Sequence, residues 1–173
     1  MQTITQTTPK IYVACLAAYN NGFLHGQWIE VNKSAEEIHA EIQDMLGQSP
    51  IGGAEEWAIH DYEGFEGLQI SEYESIDDVV QYAQLIEQHG EAYVAYVNYI
   101  GVDYATEEGF QEAYQGEWNS EEAFAENLAD ETMEIPEHLQ YYIDYEKFAR
   151  DLFINDYFSV KGESCQVFVF RHI

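Results

Sequence analysis

The sequence predicts an α+β fold, in which strand patterns near both ends of the chain flank a largely helical middle. Two observations frame this prediction. Hydrophobic residues make up 46% of the 173 positions, which is enough to form a packed core. The chain also carries 33 Asp and Glu against 6 Lys and Arg, so its formal net charge is −27 and we expect a strongly acidic surface. The order of the elements suggests three small domains.

The N-terminal domain is expected to span residues 1–62 and to be α+β. Its predicted elements are a strand over 10–19, a strand over 25–31, a helix over 34–47 and a strand over 56–62. The helix has the clearest signals, because Ser34 stands at the capping position and Glu37 follows where a capping box needs an acid. Gly47 then ends the helical pattern.

The central domain, 63–104, is expected to be helical. Ser75 can cap a helix that Gly90 ends, and Asp78 occupies the third position of its first turn. The following segment, 91–101, is ambiguous. Its aromatic and valine residues suit a strand, but its apolar side chains also recur at helical spacing, and we favour the helix.

The C-terminal domain, 105–173, is expected to be α+β. The patterns predict two short acidic helices over 106–116 and 119–133, a longer helix over 136–153, and a hairpin of strands over 157–162 and 165–173. Pro136 favours the start of the longer helix, because a fixed φ and a missing N–H suit the first helical position.

The distribution of charge limits the classes of partner. Between Ser34 and Glu146 there are 29 acids and no Lys or Arg. Such a chain repels nucleic acid and anionic lipid, so we expect it to bind neither nucleic acid nor membrane, and any partner held by charge must be basic. Cys15 and Cys165 form no CxxC pattern, which is typical of reduced thiols. The polar start MQTITQTTPK lacks a signal-peptide core, so a cytoplasmic location is expected.

No pattern in the sequence indicates catalysis. The six histidines show no HxxxH or HExxH spacing, and the glycine motifs that bind phosphate are absent. In DYATEEG, Glu108 stands where a calcium loop needs a glycine. His60 and Asp61 are adjacent, but neighbours in a strand point to opposite faces, which favours a packed histidine over a catalytic dyad. We therefore expect no enzyme activity, no cofactor and no metal site.

The second acidic helix has acids at every fourth position, namely Glu122, Glu126, Asp130 and Glu134. Phe124, Leu128 and Met133 are expected on its other side. Three like-charged pairs at this spacing would cost about 1 kcal/mol of helix stability. Solubility needs only roughly 2–8 net charges in a small domain, while a halophilic surface stays an open explanation. The third explanation is imitation of DNA, because 27 charges match about 46 Å of duplex at about one charge per 1.7 Å.

Four segments in order carry a resemblance to a known family: IYVACLAAYNNGFLHGQWIEV, EEWAIHDYEGF, FQEAYQGEWNSEEAFAENLADE and IPEHLQYYIDYEKFARDLFINDY. From about Ile11 to Phe170, the chain resembles the ArdA antirestriction proteins of mobile elements. The stretch FAENLADETMEIPEHLQ is similar to what that family calls its antirestriction motif. The chain departs from the family in a longer polar N-terminal arm, Met1–Lys10, and in the loop QSPIGGAEE.

The resemblance implies binding without chemistry. ArdA proteins mimic DNA and occupy the DNA-binding groove of type I restriction-modification enzymes, in the methyltransferase core of specificity and modification subunits, so that incoming DNA escapes restriction. Whether modification is blocked as well stays open. The resemblance also implies an elongated homodimer of three-domain chains joined through the C-terminal domain. The alternative is an acidic scaffold or adaptor that binds a basic protein through one patch, without DNA mimicry.

The resemblance also suggests which residues contact a partner. The acids expected to stand in for phosphates are Asp61, Glu63, Glu66, Glu72, Glu74, Asp77, Asp78, Glu107, Glu108, Glu112, Glu117, Glu121, Glu122, Glu126, Asp130, Glu131 and Glu134. The residues expected in the motif or dimer region are Leu128, Ile135, Pro136, Leu139 and Tyr142.

Overall fold

The computed structural model of the protein describes residues 7–173, so residues 1–6 of the N-terminal arm lie outside the described residues. Over the described range the fold is α+β, as predicted, with eight helices and two three-stranded antiparallel sheets. Residue contacts divide the chain into two units, the first ending at Gly90 and the second spanning Glu91–Ile173. The division into three domains stays a prediction.

The first unit is a small sheet covered by helices. Its elements are β1 (Lys10–Cys15), α1 (Leu16–Asn20), β2 (Gly26–Glu30), α2 (Ala35–Gly47), β3 (Trp57–Glu63) and α3 (Ile76–His89). The strand order is β2-β1-β3, and both pairings are antiparallel. Helix α2 packs on β1, β2 and α3. Ile11, Ile29, Ile38 and Ile42 are among the side chains that form its buried core.

The capping signals of this unit are confirmed. Ser34 Oγ accepts a hydrogen bond from the Glu37 backbone N–H at 3.2 Å, and Glu37 Oε2 accepts one from the Ser34 N–H at 2.9 Å. This reciprocal pair satisfies two of the N–H groups that a helix start leaves open. Ser75 caps α3 in the same position, through the N–H of Asp78.

The first predicted strand was too long. Strand β1 ends at Cys15, and Leu16–Asn20 form α1 instead of continuing the strand. Cys15 is the N-cap of α1 and its Sγ accepts from the Ala18 N–H at 3.5 Å. Leucine and alanine are good helix formers, so the local propensity of this short segment favours the turn of helix that forms there.

The second unit also has a three-stranded sheet. Its elements are α4 (Glu91–Ile100), α5 (Glu107–Ala113), β4 (Tyr114–Trp118), α6 (Glu121–Thr132), a 3₁₀ helix (Glu137–Tyr142), α7 (Tyr145–Asn155), β5 (Tyr157–Lys161) and β6 (Val167–Arg171). The strand order is β4-β6-β5. The predicted hairpin of β5 and β6 and the preference for a helix at α4 are both confirmed. Aromatic rings dominate the core, where Phe170 contacts Tyr96, Tyr114 and Phe158.

Two predictions in this unit were wrong. The segment after α5 is strand β4 and not part of a helix, and it pairs with β6 from the far end of the chain. The long helix expected from Pro136 is divided into the 3₁₀ helix and α7. Ile143 has extended backbone angles (φ −84°, ψ 124°), and the Asp144 carboxylate caps α7 by accepting from the Lys147 N–H at 3.0 Å. Asp144 therefore starts a new helix where the apolar pattern suggests a continuous one.

Candidate partner-binding surface

The 17 acids expected to contact a partner lie mostly on the surface. All of them are exposed except Glu74 and Glu107, which are partly buried. They lie at the end of β3 (Asp61, Glu63), in the loop before α3 (Glu66, Glu72, Glu74), at the start of α3 (Asp77, Asp78), on α5 (Glu107, Glu108, Glu112), on β4 (Glu117), on α6 (Glu121, Glu122, Glu126, Asp130, Glu131) and after α6 (Glu134). Six acids of the second unit thus follow one another in the α6 region.

Some of these carboxylates have a local structural role. Asp78 accepts a hydrogen bond from Ser75 Oγ at 2.6 Å, and Glu74 accepts from the Ser71 N–H at 3.2 Å. Glu121 accepts from Ser159 Oγ at 2.6 Å, which joins the start of α6 to β5. Acids in a first helical turn are also favoured by the helix dipole. These bonds give Asp78, Glu74 and Glu121 a structural role that requires no partner protein.

Three other carboxylates of α6 make no such hydrogen bond, although one of them, Glu122, lies in the first turn. Within residues 7–173, Glu122, Glu126 and Asp130 accept no hydrogen bond and form no ion pair. Their spacing places them on one side of α6, while Phe124 is buried on the other side with Ala125. They repel one another and increase the local density of negative charge.

The structure corrects two details of the predicted acidic stripe, the row of acids at every fourth position formed by Glu122, Glu126, Asp130 and Glu134. Helix α6 ends at Thr132, so Glu134 lies beyond the helix and does not continue the i,i+4 spacing. Met133 caps the helix in an extended conformation (φ −121°, ψ 133°) and its side chain is exposed, so it does not belong to the apolar side. The helix therefore contains two repulsive i,i+4 pairs and not three.

The pKa of Tyr145 responds to two carboxylates of this stripe. Burial raises the pKa of the Tyr145 phenol, and the carboxylates of Asp130 and Glu126 raise that pKa further because they disfavour a negative phenolate. Burial likewise raises the pKa of Tyr114, with a smaller contribution from Glu117. Acids of the second unit are thus close enough to tyrosines to affect their titration.

Few cations are available to neutralise these acids. Lys10 pairs with Glu63 at 2.9 Å and lies over the Trp28 ring, and Lys33 pairs with Glu41. All four members of these pairs lie in the first unit. In the second unit Arg150 contacts Glu146 at 3.4 Å on the surface of α7, a pair of a kind that contributes little in water. Over the described part of the chain, Lys147, Lys161 and Arg171 form no ion pair, so no carboxylate of α6 is paired with one of them.

The motif and dimer residues divide into two groups. Leu128 packs against the cluster of Phe124, Val167 and Val169, so it belongs to the core of the second unit. The others lie after α6, where Pro136, Leu139 and Tyr142 are exposed and Ile135 is partly buried. Tyr141, beside Tyr142, has 93% of its surface exposed, so the expectation that these two aromatics are core residues was wrong. Its signal was present, because two adjacent tyrosines cannot both face the core from one short helix.

No described group of three or more His, Cys, Asp or Glu residues is placed to hold a metal ion. Among the described residues, the His60 ring contacts the carboxylate of Glu72 and not that of Asp61, whose Oδ1 accepts from the Tyr62 backbone N–H at 2.8 Å. His60 is the extra residue of a β-bulge, since Ile59 pairs with Val13 and Asp61 with Tyr12. Its ring packs edge-on against Tyr19 at 5.0 Å between centroids.

The bulge also shapes a feature that the sequence analysis missed. His60 lines an open notch together with Tyr19, Ile59, Tyr62, Ile70 and Glu72. Its volume is about 420 Å³. The adjacency of β3 and the loop before α3 creates this notch, and that adjacency has no local sequence signal.

Comparison with known proteins gives one family. The family described as antirestriction protein (ArdA) matches residues 11–166 of the chain. No curated protein matches the chain at a significant level. Among the described residues, no helix is both long and apolar enough to cross a lipid bilayer.

Proposed function

The chain belongs to the ArdA family of antirestriction proteins, and from that premise we propose that it inhibits type I restriction-modification enzymes by imitating DNA. The proposed target is the DNA-binding groove of the methyltransferase core, formed by specificity and modification subunits. The proposed place of action is the cytoplasm. The match over residues 11–166 is the observation that carries the proposal, because it includes every candidate acid.

The distribution of carboxylates supports this mechanism. A groove that binds DNA is lined with Lys and Arg, and most of its affinity comes from contacts with phosphates. Exposed carboxylates with no hydrogen bond or ion pair among residues 7–173, such as those of Glu122, Glu126 and Asp130, are free to make the same contacts. Their mutual repulsion would be relieved when a basic partner binds.

The mechanism requires no chemical step. The ArdA family consists of inhibitors and is not a known enzyme family. Inhibition should therefore be stoichiometric, with one bound inhibitor in each groove. Affinity should fall as salt rises, because both surfaces are highly charged. The salt dependence should be shallower than for DNA, whose condensed counterions the protein does not share.

We also propose that the protein acts as a homodimer through the segment after α6. Met133, Leu139, Tyr141 and Tyr142 present exposed apolar surface there, and such surface marks interaction sites. Replacing Tyr141 by Asp should weaken the dimer, as measured by sedimentation equilibrium. Leu24 is the matched control, because it is also 93% exposed but lies in the first unit. Equal dimerisation of the wild-type protein and Tyr141→Asp would contradict this interface.

A DNA competition assay tests the main proposal. A purified type I methyltransferase core is bound to a fluorescent duplex containing its site, and the protein is added over a series of salt concentrations. Competitive displacement at near-equimolar amounts supports DNA mimicry. Binding to the core without displacement of DNA would favour the acidic scaffold instead. Protection at strongly substoichiometric amounts would indicate catalysis and contradict both.

A further inference from the structure

The notch beside the bulge in β3 has the chemistry of a cation-binding site. Ile59 and Ile70 are buried and form its apolar floor, while Tyr19, His60 and Tyr62 supply aromatic walls. The sixth lining residue, Glu72, supplies a carboxylate, whose Oε1 lies 3.7 Å from His60 Nε2. Aromatic faces beside a carboxylate attract cations and repel phosphate.

The walls of the notch are held in place by the fold. The Ile59 N–H donates to the Glu72 carbonyl at 2.9 Å, which fixes the Glu72 backbone alongside β3. The Tyr62 hydroxyl donates to Gln69 Oε1 at 3.2 Å. Tyr19 lies in α1, and its carbonyl accepts from the Gly22 N–H at 3.0 Å in the turn that follows. These bonds order the backbone around the notch, so that a ligand has mainly the exposed side chains of Tyr19 and Glu72 left to order.

We propose that this notch receives an arginine side chain from the basic surface of the partner protein. A guanidinium stacks on aromatic faces, pairs bidentately with a carboxylate and is more weakly hydrated than an ammonium group. Its aliphatic stem would lie on the floor formed by Ile59 and Ile70. The net charge of −27 adds a general attraction for such a basic partner.

The notch differs in kind from the acidic stripe on α6. A carboxylate in the stripe can replace one phosphate but cannot distinguish arginine from lysine. The notch adds shape and aromatic contact, so it would make one partner residue a point of specificity. The inference rests on the proposed function only in taking the partner's basic surface as the source of the arginine.

A titration with a small probe tests the notch without any restriction enzyme. N-acetyl-arginine N-methylamide is added to the ¹⁵N-labelled protein at constant ionic strength, and amide shifts are followed. Saturable shifts are expected around Tyr19, His60 and Glu72. The citrulline analogue has nearly the same shape without the charge. Its affinity should be lower by about tenfold or more. The lysine analogue should also be weaker. Equal shifts with arginine and citrulline, or shifts only elsewhere, would overturn the proposal.

Variants separate the notch from general electrostatics. Glu72→Gln and Tyr19→Leu should each weaken binding of the arginine probe about fivefold, and the exposure of both residues favours normal folding. Glu36→Gln is the matched control, because it removes the same charge from α2 and should bind as the wild-type protein does. An equal loss in Glu36→Gln and Glu72→Gln would show that net charge, and not the notch, attracts the probe.

The same Tyr19→Leu variant then tests the source of the arginine. It should bind the methyltransferase core about fivefold more weakly while still displacing DNA. Unchanged affinity for the core, together with lost binding of the probe, would overturn the assignment to a partner arginine. If the wild-type protein does not bind the core at all, the proposed function fails, and the probe titration still decides whether the notch binds arginine.

Discussion

Helices α2 and α6 begin in the same way but differ in whether their acidic side chains pair with a cation. Each starts after a serine, Ser34 or Ser120, whose Oγ accepts from the backbone N–H three residues later. Each also has two glutamates in its first turn, where the helix dipole favours them. In α2 the next acid, the partly buried Glu41, pairs with Lys33, while Asp44 in the last turn has no described ion pair. In α6 no acid pairs with a cation among the described residues, and the last turn contains two acids at the end where the dipole disfavours them.

The packing of the two helices differs as well. Helix α2 buries Ile38, Ile42, Met45 and Leu46, whereas α6 buries one large side chain, Phe124, and two alanines. The ring of Phe124 contacts Trp118, Phe153 and Tyr157. Helix α6 therefore holds a repulsive set of charges on the surface with a small aromatic anchor. In α2, Glu37 and Glu41 support the fold through the capping box and the pair with Lys33, whereas Glu126 and Asp130 of α6 have no such bond among the described residues.

The largest expected effect concerns this anchor. Phe124→Ala should destabilise the second unit by about 3–5 kcal/mol, because it leaves a cavity among three aromatic rings and removes the main apolar contact of α6. Urea unfolding followed by fluorescence and far-UV circular dichroism measures the loss. Phe124→Leu is the control and should cost less than about 1.5 kcal/mol. A loss below about 1 kcal/mol for Phe124→Ala would show that α6 does not depend on one anchor.

The second prediction concerns the stripe itself. Neutralising Glu122, Glu126 and Asp130 together should weaken binding to the methyltransferase core far more than any single change, since exposed charge pairs contribute about 0–1 kcal/mol each. Each single variant should lose only a few-fold in affinity. The triple variant should be about as stable as the wild-type protein, because removing two like-charged i,i+4 pairs gains about 0.4–1 kcal/mol and losing the first-turn acid Glu122 costs about 0.3–1 kcal/mol. Titrations at two salt concentrations measure the affinities.

The matched control for the stripe is in α2. Neutralising Glu36 and Glu37 removes first-turn acids that support the helix, so it should lower stability. A single α6 residue that abolished binding alone, with the other two silent, would indicate a discrete pocket and contradict a distributed surface.

The contrast between the two helices also shows what the sequence predicts well. Both helices, the Ser34 cap of α2 and the four-residue spacing of the acids in α6 depend on neighbours within a few positions, and these were predicted correctly up to Thr132. The Ser120 cap of α6 was not predicted, although its signal is equally local. The strand β4 was missed because its partner, β6, lies about 50 residues away in sequence. The break at Ile143 was missed because apolar spacing continues through it, while the cap at Asp144 interrupts the backbone.

Much of the candidate surface could not be predicted from the sequence for the same reason. That acids lie on the surface follows from their chemistry. Which of them already have a partner does not, because the contacts of Glu63 with Lys10 and of Glu121 with Ser159 join distant segments. The notch at His60 depends on a bulge and on a loop that returns to β3, and neither follows from local pattern.

The third prediction compares the caps. Ser34→Ala should cost about 1–2 kcal/mol and Ser120→Ala about 0.5–1 kcal/mol. The difference arises because the Glu37 carboxylate accepts a hydrogen bond from the Ser34 N–H, while Ala123 at the same position of α6 has no side-chain acceptor. Thermal unfolding of both variants measures the costs. Equal losses would mean that the reciprocal bond in α2 adds nothing.

The pH dependence checks the same bond. Hydrogen bonds from the Ser34 backbone and then from its side chain lower the pKa of Glu37 in the folded protein. This contribution to stability is therefore fully present above the ordinary value of 4.5 and is lost as pH falls through the lower, folded pKa. Glu37→Gln should remove this part of the acid destabilisation, measured by urea unfolding between neutral and acid pH.

The smallest expected effect is a change in titration without a change in fold. The pKa of Tyr145 is raised by burial and then by the carboxylates of Asp130 and Glu126. Replacing these two acids by Asn and Gln should lower that pKa towards its ordinary value but not to it, because the burial remains. The ¹³Cζ resonance of Tyr145, assigned with Tyr145→Phe, measures the titration. Tyr114 is the internal control, since its pKa responds to burial and Glu117 and should not move. An unchanged pKa at Tyr145 would mean that solvent screens the interaction of the Asp130 and Glu126 carboxylates with the neighbouring phenol. Carboxylates screened so strongly would be poor substitutes for phosphates.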